Sequence, residues 1–317
     1  MKFNKLLVYN IDKSSSLDPQ TWKKIESLTN RIVFVPKDPP QALKRELKDT
    51  DGILVNFGTT ISKEEIDNAP HLKYIGVMAT AFGKIDVAHA KKKKVLVSNL
   101  KGYSTESVAE FVIASILEHA RGLEEGKKRG KAGNVSEAGI SAIELKGKNF
   151  GIVGLGDIGK RVAEIALGFG ADVRYWSKHR KKDFEKKGVT FESLEKLVSD
   201  ANILSINLAQ TKETEGIFNK NIFNKIKSGT IIVNTAPMEL IVIKDLAERL
   251  KKGDIIFILD HSDEMDGKDL KNLLKYPNCV VYPPIAYISN EAAENKKSLF
   301  LGNIQGFLNG KPQNIVN

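Results

Sequence analysis

Cysteine is almost absent: Cys279 is the single one in 317 residues. No intrachain disulfide can form, and the clustered Cys/His spacing of a structural zinc site is missing, so no metal is expected. Long apolar runs are also absent, and none reaches the ~20 residues that a membrane-spanning helix needs. The opening Met-Lys-Phe-Asn-Lys leads directly into an apolar strand rather than the hydrophobic stretch of a signal peptide. These absences predict a reducing, cytoplasmic setting with no membrane partner. Arginine is scarce beside lysine, although the formal net charge is +10. The basic runs at residues 91–94, 127–131 and 178–182 lie in different elements, carry few aromatics and match no nucleic-acid-binding signature. Bidentate reading of bases or phosphates favours arginine. Solvated faces therefore explain most of this charge, and no nucleic-acid partner is expected.

What is present is a chain of ordinary soluble composition, 41% hydrophobic and 28% charged, long enough for about two domains. Strand-like and helix-like segments alternate almost throughout, which predicts an α/β fold with parallel sheets. A first set of strands is expected over residues 5–10, 31–36, 52–57, 74–79 and 95–99. Helices over 41–48, 62–68 and 85–92 connect them. A long helix over 105–123 follows, and the glycine- and charge-rich residues 124–148 read as a loop. A second set of strands is expected over 203–208, 230–236, 255–260 and 279–282, and a last helix over 290–308.

The most informative segment is residues 149–160, an apolar strand running into Gly154-Leu-Gly156-Asp-Ile-Gly159 and then a helical pattern. In such a fingerprint the first glycine permits a tight turn and the second lets backbone approach a pyrophosphate. The third allows close helix–strand packing. Gly154, Gly156, Asp157 and Ile158 are thus the expected pyrophosphate contacts, because free N–H groups at a helix N-terminus suit an anion. The next strand ends at Ser177 and is followed by Lys178, His179 and Arg180. A carboxylate normally meets the ribose 2′-hydroxyl of NAD at this place. A hydroxyl backed by Lys178 and Arg180 suits a 2′-phosphate instead, so NADP is favoured over NAD. Ligands in open α/β sheets sit beyond the carboxyl ends of the strands. That rule singles out Phe57 and Thr80, Ala81 and Phe82 in the first half. In the second half it singles out Ser177, Thr235 to Pro237, Asp260 to His261 and Pro283-Pro284. In a dinucleotide-binding lobe Leu208 and Ala209 are expected near the adenine, with Thr235, Ala236 and Asp260 toward the nicotinamide.

Several ordered segments together resemble the D-isomer-specific 2-hydroxyacid dehydrogenase family, nearest its glycerate and hydroxypyruvate reductase branch. They are residues 75–86 (Ile-Gly-Val-Met-Ala-Thr-Ala-Phe-Gly-Lys-Ile-Asp), residues 102–110 (Gly-Tyr-Ser-Thr-Glu-Ser-Val-Ala-Glu) and the fingerprint. To these are added Asn234-Thr-Ala236, the strand ending at Asp260, and Pro283-Pro-Ile-Ala286. The resemblance implies two Rossmann-like lobes with a cleft between them. One is a flavodoxin-like substrate lobe over residues 1–99 and 287–317, the other a dinucleotide-binding lobe over 100–286. It also implies oxidoreductase activity on a small 2-hydroxy or 2-keto acid, a substrate loop at Phe57 and Thr80–Phe82, and a homodimer.

Three side chains carry this family's chemistry, and none is matched. The resemblance places at Pro237 an arginine that holds the substrate carboxylate and polarises its keto oxygen, at Pro284 a proton-transferring histidine and at Met265 its supporting glutamate, with Glu264 one place off register. Proline has neither a polar side-chain atom nor a backbone N–H, so it imitates neither lost group. Loss of a general acid/base alone costs ~10²–10⁴-fold in rate. Ala81 stands where the related branch usually has glycine. Among five histidines, His71 and His89 read as surface-helix residues, His119 lies on the long helix and His179 lies beside the expected adenosine phosphate. Only His261, next to Asp260 at a strand end, falls near the expected nicotinamide; it is either a surrogate proton relay or the holder of a structural hydrogen bond. Glu239 and Glu264 are weaker candidates. Ser104 and Thr105 read as a helix cap, and Cys279 as a core residue. Two functions follow: an NAD(P)-dependent oxidoreductase with altered or much reduced chemistry, or a catalytically inactive NAD(P)-binding sensor or scaffold.

Overall fold

The computed structural model describes residues 1–37 and 41–317. The chain separates into two compact units, Met1–Ser104 with Ser289–Asn317, and Thr105–Ile288.

The first unit carries β1 (Leu6–Tyr9), α1 (Lys13–Ser16), α2 (Pro19–Ser27), β2 (Ile32–Val35), α3 (Gln41–Glu46), β3 (Gly52–Val55), α4 (Lys63–Asp67), β4 (Tyr74–Val77), α5 (Val87–Lys92) and β5 (Leu96–Ser98). Its strands form one parallel sheet in the order β2-β1-β3-β4-β5. β1, β3 and β4 are buried along their whole length, which explains their unbroken apolar sequences. Helix boundaries follow from local chemistry. Asp18 caps α2 ahead of Pro19, and Ser62 with Glu65 forms a reciprocal capping box on α4.

The second unit carries α6 (Thr105–Ala120), α7 (Leu123–Lys131), β6 (Asn149–Val153), α8 (Asp157–Gly168), β7 (Asp172–Trp176), α9 (Lys182–Glu185), β8 (Thr190–Phe191), α10 (Leu194–Asp200), β9 (Ile203–Ile206), α11 (Lys220–Lys225), β10 (Ile231–Asn234), α12 (Ile243–Leu250), β11 (Ile256–Leu259), α13 (Gly267–Leu273) and β12 (Cys279–Val281). All seven strands are parallel, in the order β12-β11-β10-β9-β6-β7-β8. Their carboxyl ends therefore share one edge. The chain then returns to the first unit as α14 (Asn290–Leu308), where Phe307 stacks on Phe3 and Tyr74 at ring-centre distances of 5.6 and 4.7 Å. Residues 314–317 lie beside β5, bridging Ser98 to Ile315 antiparallel and covering the outer edge of that strand.

Two expectations are corrected. Residues 124–131 are helical, not loop, and the long helix stops at Ala120 rather than 123: Gly122 takes φ +59° between the two helices, and the acidic first turn with Glu125–Arg129 pairing starts α7. His71 sits in a turn rather than on a helix.

Around the β6–α8 turn the three fingerprint glycines differ in surroundings. Gly154 has φ +96°, and a Cβ there would lie 2.8 Å from the Asn207 carbonyl oxygen. A Cβ on Gly159 would fall on the Gly154 carbonyl oxygen, whereas one on Gly156 would meet nothing within 4 Å. Substituting Gly159 with alanine must push α8 off the sheet where Val162, Ala163 and Ala166 are buried. The expected outcome in denaturant titration is a loss of about 1–3 kcal/mol for Gly159→Ala, with Gly156→Ala within about 1 kcal/mol of the parent.

Candidate functional site

The second unit gathers its polar groups along the shared carboxyl edge. At the β6 end, Gly156 is the N-cap of α8, and no side chain caps the helix. Backbone N–H groups in the first turn of a 12-residue helix thus face the open space beside Gly156. Asp157 opens that helix, and Ile158 leans on the core beneath it. A dinucleotide pyrophosphate fits this cradle.

After β7, Ser177 is buried and its hydroxyl donates to the His179 carbonyl at 2.8 Å. Lys178 pairs with Glu213, and Arg180 grips Glu185 through two bonds of 2.8 and 2.7 Å. The hydrogen bonds of Arg180 and Tyr175 hold the Glu185 carboxyl down at about 2. Both cations are exposed, so water and salt screen these pairs and leave each cation open to another anion. After β9, Leu208 packs on the core, while Ala209 is exposed and its carbonyl accepts from Thr214.

At the ends of β10, β11 and β12, side chains lace three loops together. Asp260 is buried; its Oδ2 accepts from the Ala286 backbone N–H at 3.0 Å, and its Oδ1 has no hydrogen-bond partner. Burial pushes its carboxyl pKa up. An orphaned buried acceptor there fits an amide donor such as the nicotinamide carboxamide. Ser262 donates to the Tyr282 carbonyl at 3.0 Å. Thr235 lies 3.5 Å from Asn207 through its hydroxyl, and the Ala236 side chain is buried in the core.

His261 is the centre of this network. Its Nδ1 is 3.0 Å from Glu264 Oε1, its Nε2 is 3.2 Å from the Thr235 carbonyl oxygen, and Asp260 Oδ1 lies 3.7 Å from Nε2. Glu264 Oε2 also accepts from the Met238 backbone N–H at 3.0 Å. Burial works against the imidazolium, but the Glu264 hydrogen bond and the Asp260 and Glu264 charges outweigh it and raise the pKa to about 9. The pairing with Glu264 was missed from sequence, although a signal existed. His261 and Glu264 are three residues apart across a 3-10 turn, Ser262–Glu264, in which i and i+3 eclipse.

The remaining candidates stand apart from this network. Pro237 and Pro284 are half-buried, and Met265 packs on the core with Val281. Glu239 is exposed. The Cys279 thiol is buried and pushed up to about 12. His119, on α6, has its pKa lowered by burial. In the first unit, Phe57 and Ala81 are exposed at the carboxyl ends of β3 and β4. Thr80 is pinned to the segment just after β5, its hydroxyl donating to the Leu100 carbonyl and its own carbonyl accepting from Asn99, and Phe82 leans on the core. No cluster of His, Cys, Asp and Glu among the described residues has metal-holding geometry, and no described helix is long and apolar enough to cross a membrane.

Residues 113–286 match the model of the D-isomer specific 2-hydroxyacid dehydrogenase, NAD binding domain. The chain belongs to this family. It is 31% identical over 307 residues to a hydroxypyruvate reductase of Blautia hydrogenotrophica, covering 93% of this chain and 94% of that protein. It is 31% identical over 293 residues to a glyoxylate reductase of Thermococcus litoralis, covering 89% and 88%. Among solved structures, an acyclic imino acid reductase in complex with NADPH and D-Arg superposes with a TM-score of 0.86, 27% identity and coverage of 98% and 100%. A D-lactate dehydrogenase of Aquifex aeolicus complexed with NAD and lactic acid gives 0.84, 26%, and 96% of both chains. Family membership makes the chain an oxidoreductase of the CH–OH class with a nicotinamide coenzyme.

The raised His261 pKa has a thermodynamic consequence. Its folded value lies above the ordinary 6.5, so the stabilisation is complete below about pH 6.5 and is lost as pH rises through about 9. Denaturant titrations at pH 6.5 and 9.5 should show stability falling by on the order of 1–3 kcal/mol in the parent. In His261→Gln the fall should be clearly smaller; an equal fall would remove the assignment.

Proposed function

We propose that this protein is an NAD(P)H-dependent reductase whose chemistry departs from ordinary 2-keto-acid reduction. The observation that carries this is Pro237, Pro284 and Met265, the last half-buried against the core, where the resemblance expects arginine, histidine and glutamate. Residues 1–104 with 289–317 act as the substrate-binding lobe in this reading, with Phe57 and Thr80, Ala81 and Phe82 as its substrate loop. The second unit holds the dinucleotide. Gly154, Gly156, Asp157 and Ile158 hold the pyrophosphate; Ser177, Lys178 and Arg180 the ribose; Leu208 and Ala209 the adenine; Thr235, Ala236 and Asp260 the nicotinamide. With no carboxylate at position 177, a 2′-phosphate meets no repulsion from the strand end, and the exposed Lys178 and Arg180 can exchange their glutamates for it. NADP is thus favoured over NAD. A homodimer follows by resemblance.

When bound, the dihydronicotinamide supplies a hydride. The protein's own task is to polarise the acceptor, and it lacks the usual arginine clamp for a ketone oxygen. An imine nitrogen is far more basic than a ketone oxygen, so a single proton donor can activate it as hydride arrives, and it depends much less on such a clamp. The imine of a small 2-keto acid is therefore the substrate class that suits these replacements. Similarity to the acyclic imino acid reductase supports the same reading. The alternative of a silent dinucleotide-binding sensor or scaffold is favoured by the same two prolines.

Calorimetric titration with NADPH and NADH, followed by absorbance assays, separates these readings. Binding of NADPH with oxidation by pyruvate plus methylamine, at a rate at least ~10²-fold above that with pyruvate, glyoxylate or hydroxypyruvate alone, is the expected result. Fast oxidation with a bare keto acid would overturn the altered-chemistry reading, and binding without turnover of either class would leave the silent protein. Ser177→Asp should shift preference toward NADH by about tenfold or more.

A further inference from the structure

Both ring nitrogens of His261 face acceptors: the Glu264 carboxylate at 3.0 Å and the Thr235 carbonyl at 3.2 Å. Only an imidazolium, with a proton on each nitrogen, satisfies both at once. The two bonds are unequal in kind. Nδ1–H meets an ionised carboxylate, which holds it by a charge-assisted bond, while Nε2–H meets a neutral carbonyl. The carboxylate is itself anchored, because its second oxygen takes the Met238 N–H at 3.0 Å, directly after Pro237. One side chain thus ties the loop after β10 to the loop after β11. The charged groups facing His261 among the described residues are Asp260 and Glu264.

We propose that Glu264 is a positioning residue that makes His261 the proton donor of this chain, with Nε2–H as the mobile proton and the Thr235 carbonyl as its resting acceptor. The role rests on the hydride-transfer reading above. In the step itself, the Nε2–H bond breaks and its electron pair remains on Nε2. The proton forms a new bond to the nitrogen or oxygen of the hydride acceptor, and His261 is left as the neutral Nδ1–H tautomer. Water later restores the proton. The histidine–glutamate partnership that the family builds at two other positions is in this way rebuilt on residues of one turn, beside the same strand-end aspartate.

Nitrogen-15 NMR of histidine-labelled protein tests the geometry without turnover. At pH 7 both His261 nitrogens should be protonated. At pH 10.5 the parent should hold the Nδ1–H tautomer, and Glu264→Gln should lower the titration midpoint by at least one pH unit; Glu264→Asp should retain part of the effect. A dominant Nε2–H tautomer in the parent, or an unchanged midpoint in Glu264→Gln, would overturn the proposal. The kinetic arm uses NADPH with pyruvate plus methylamine. Both His261→Gln and Glu264→Gln should reduce kcat at least tenfold with little change in NADPH affinity, and Glu264→Gln should shift the alkaline limb of the pH profile to lower pH. An unchanged kcat in His261→Gln would overturn the donor role while leaving hydride transfer intact. Failure of the parent to bind NADPH or NADH would overturn the hydride-transfer reading itself, and the donor role with it.

Discussion

In the second unit α8 packs directly on the turn that precedes it. There is no room for a side chain at Gly154 or Gly159, so the helix packs directly against the end of β6. Everything that gives this unit a use depends on that contact. It seats Val162, Ala163 and Ala166 on the sheet, leaves the first turn of α8 without a side-chain cap, and opens the space beside Gly156. A bulkier turn would fold against the same strands but would no longer present bare backbone donors at the strand ends.

Around the opposite half of the same edge the chemistry is electrostatic rather than steric. In the proposed reading, Pro237, Met265 and Pro284 stand where the resemblance expects a cation, a carboxylate and a proton carrier. What is retained is a compact set, Asp260, His261 and Glu264, in which one imidazolium is shared between a hydrogen-bonded carboxylate and a buried one. The positive charge is fixed by its neighbours rather than by its own intrinsic basicity, as burial alone would drive it the other way.

Much of the architecture was legible because it is written in periodicity and punctuation. Parallel strands buried on both faces read as apolar runs, and the final helix was expected over the same residues, 290–308, that α14 spans. α7 was not legible, since its stability comes from charge pairs and the dipole rather than from an apolar stripe, and none of its residues is buried. At the site, the strand-end rule located His261, Asp260 and the prolines, because position along a parallel strand determines the edge at which a residue emerges. The partners were a different matter. That Lys178 meets Glu213, and Arg180 Glu185, depends on loop paths that no spacing encodes. The His261–Glu264 pair was within reach, but only for a reader who expected a 3-10 turn there.

The lone cysteine has a practical meaning beyond the redox argument. Cys279 is buried in the core against β11, and its thiol is pushed up to about 12, so almost none of it is thiolate at neutral pH. Maleimide-type reagents react with thiolate. The native chain is therefore a quiet background for chemical labelling, and a cysteine placed on an exposed position such as Lys186 would carry a dye alone. A pair of such positions within one compact unit would report on distances inside that unit without a competing thiol.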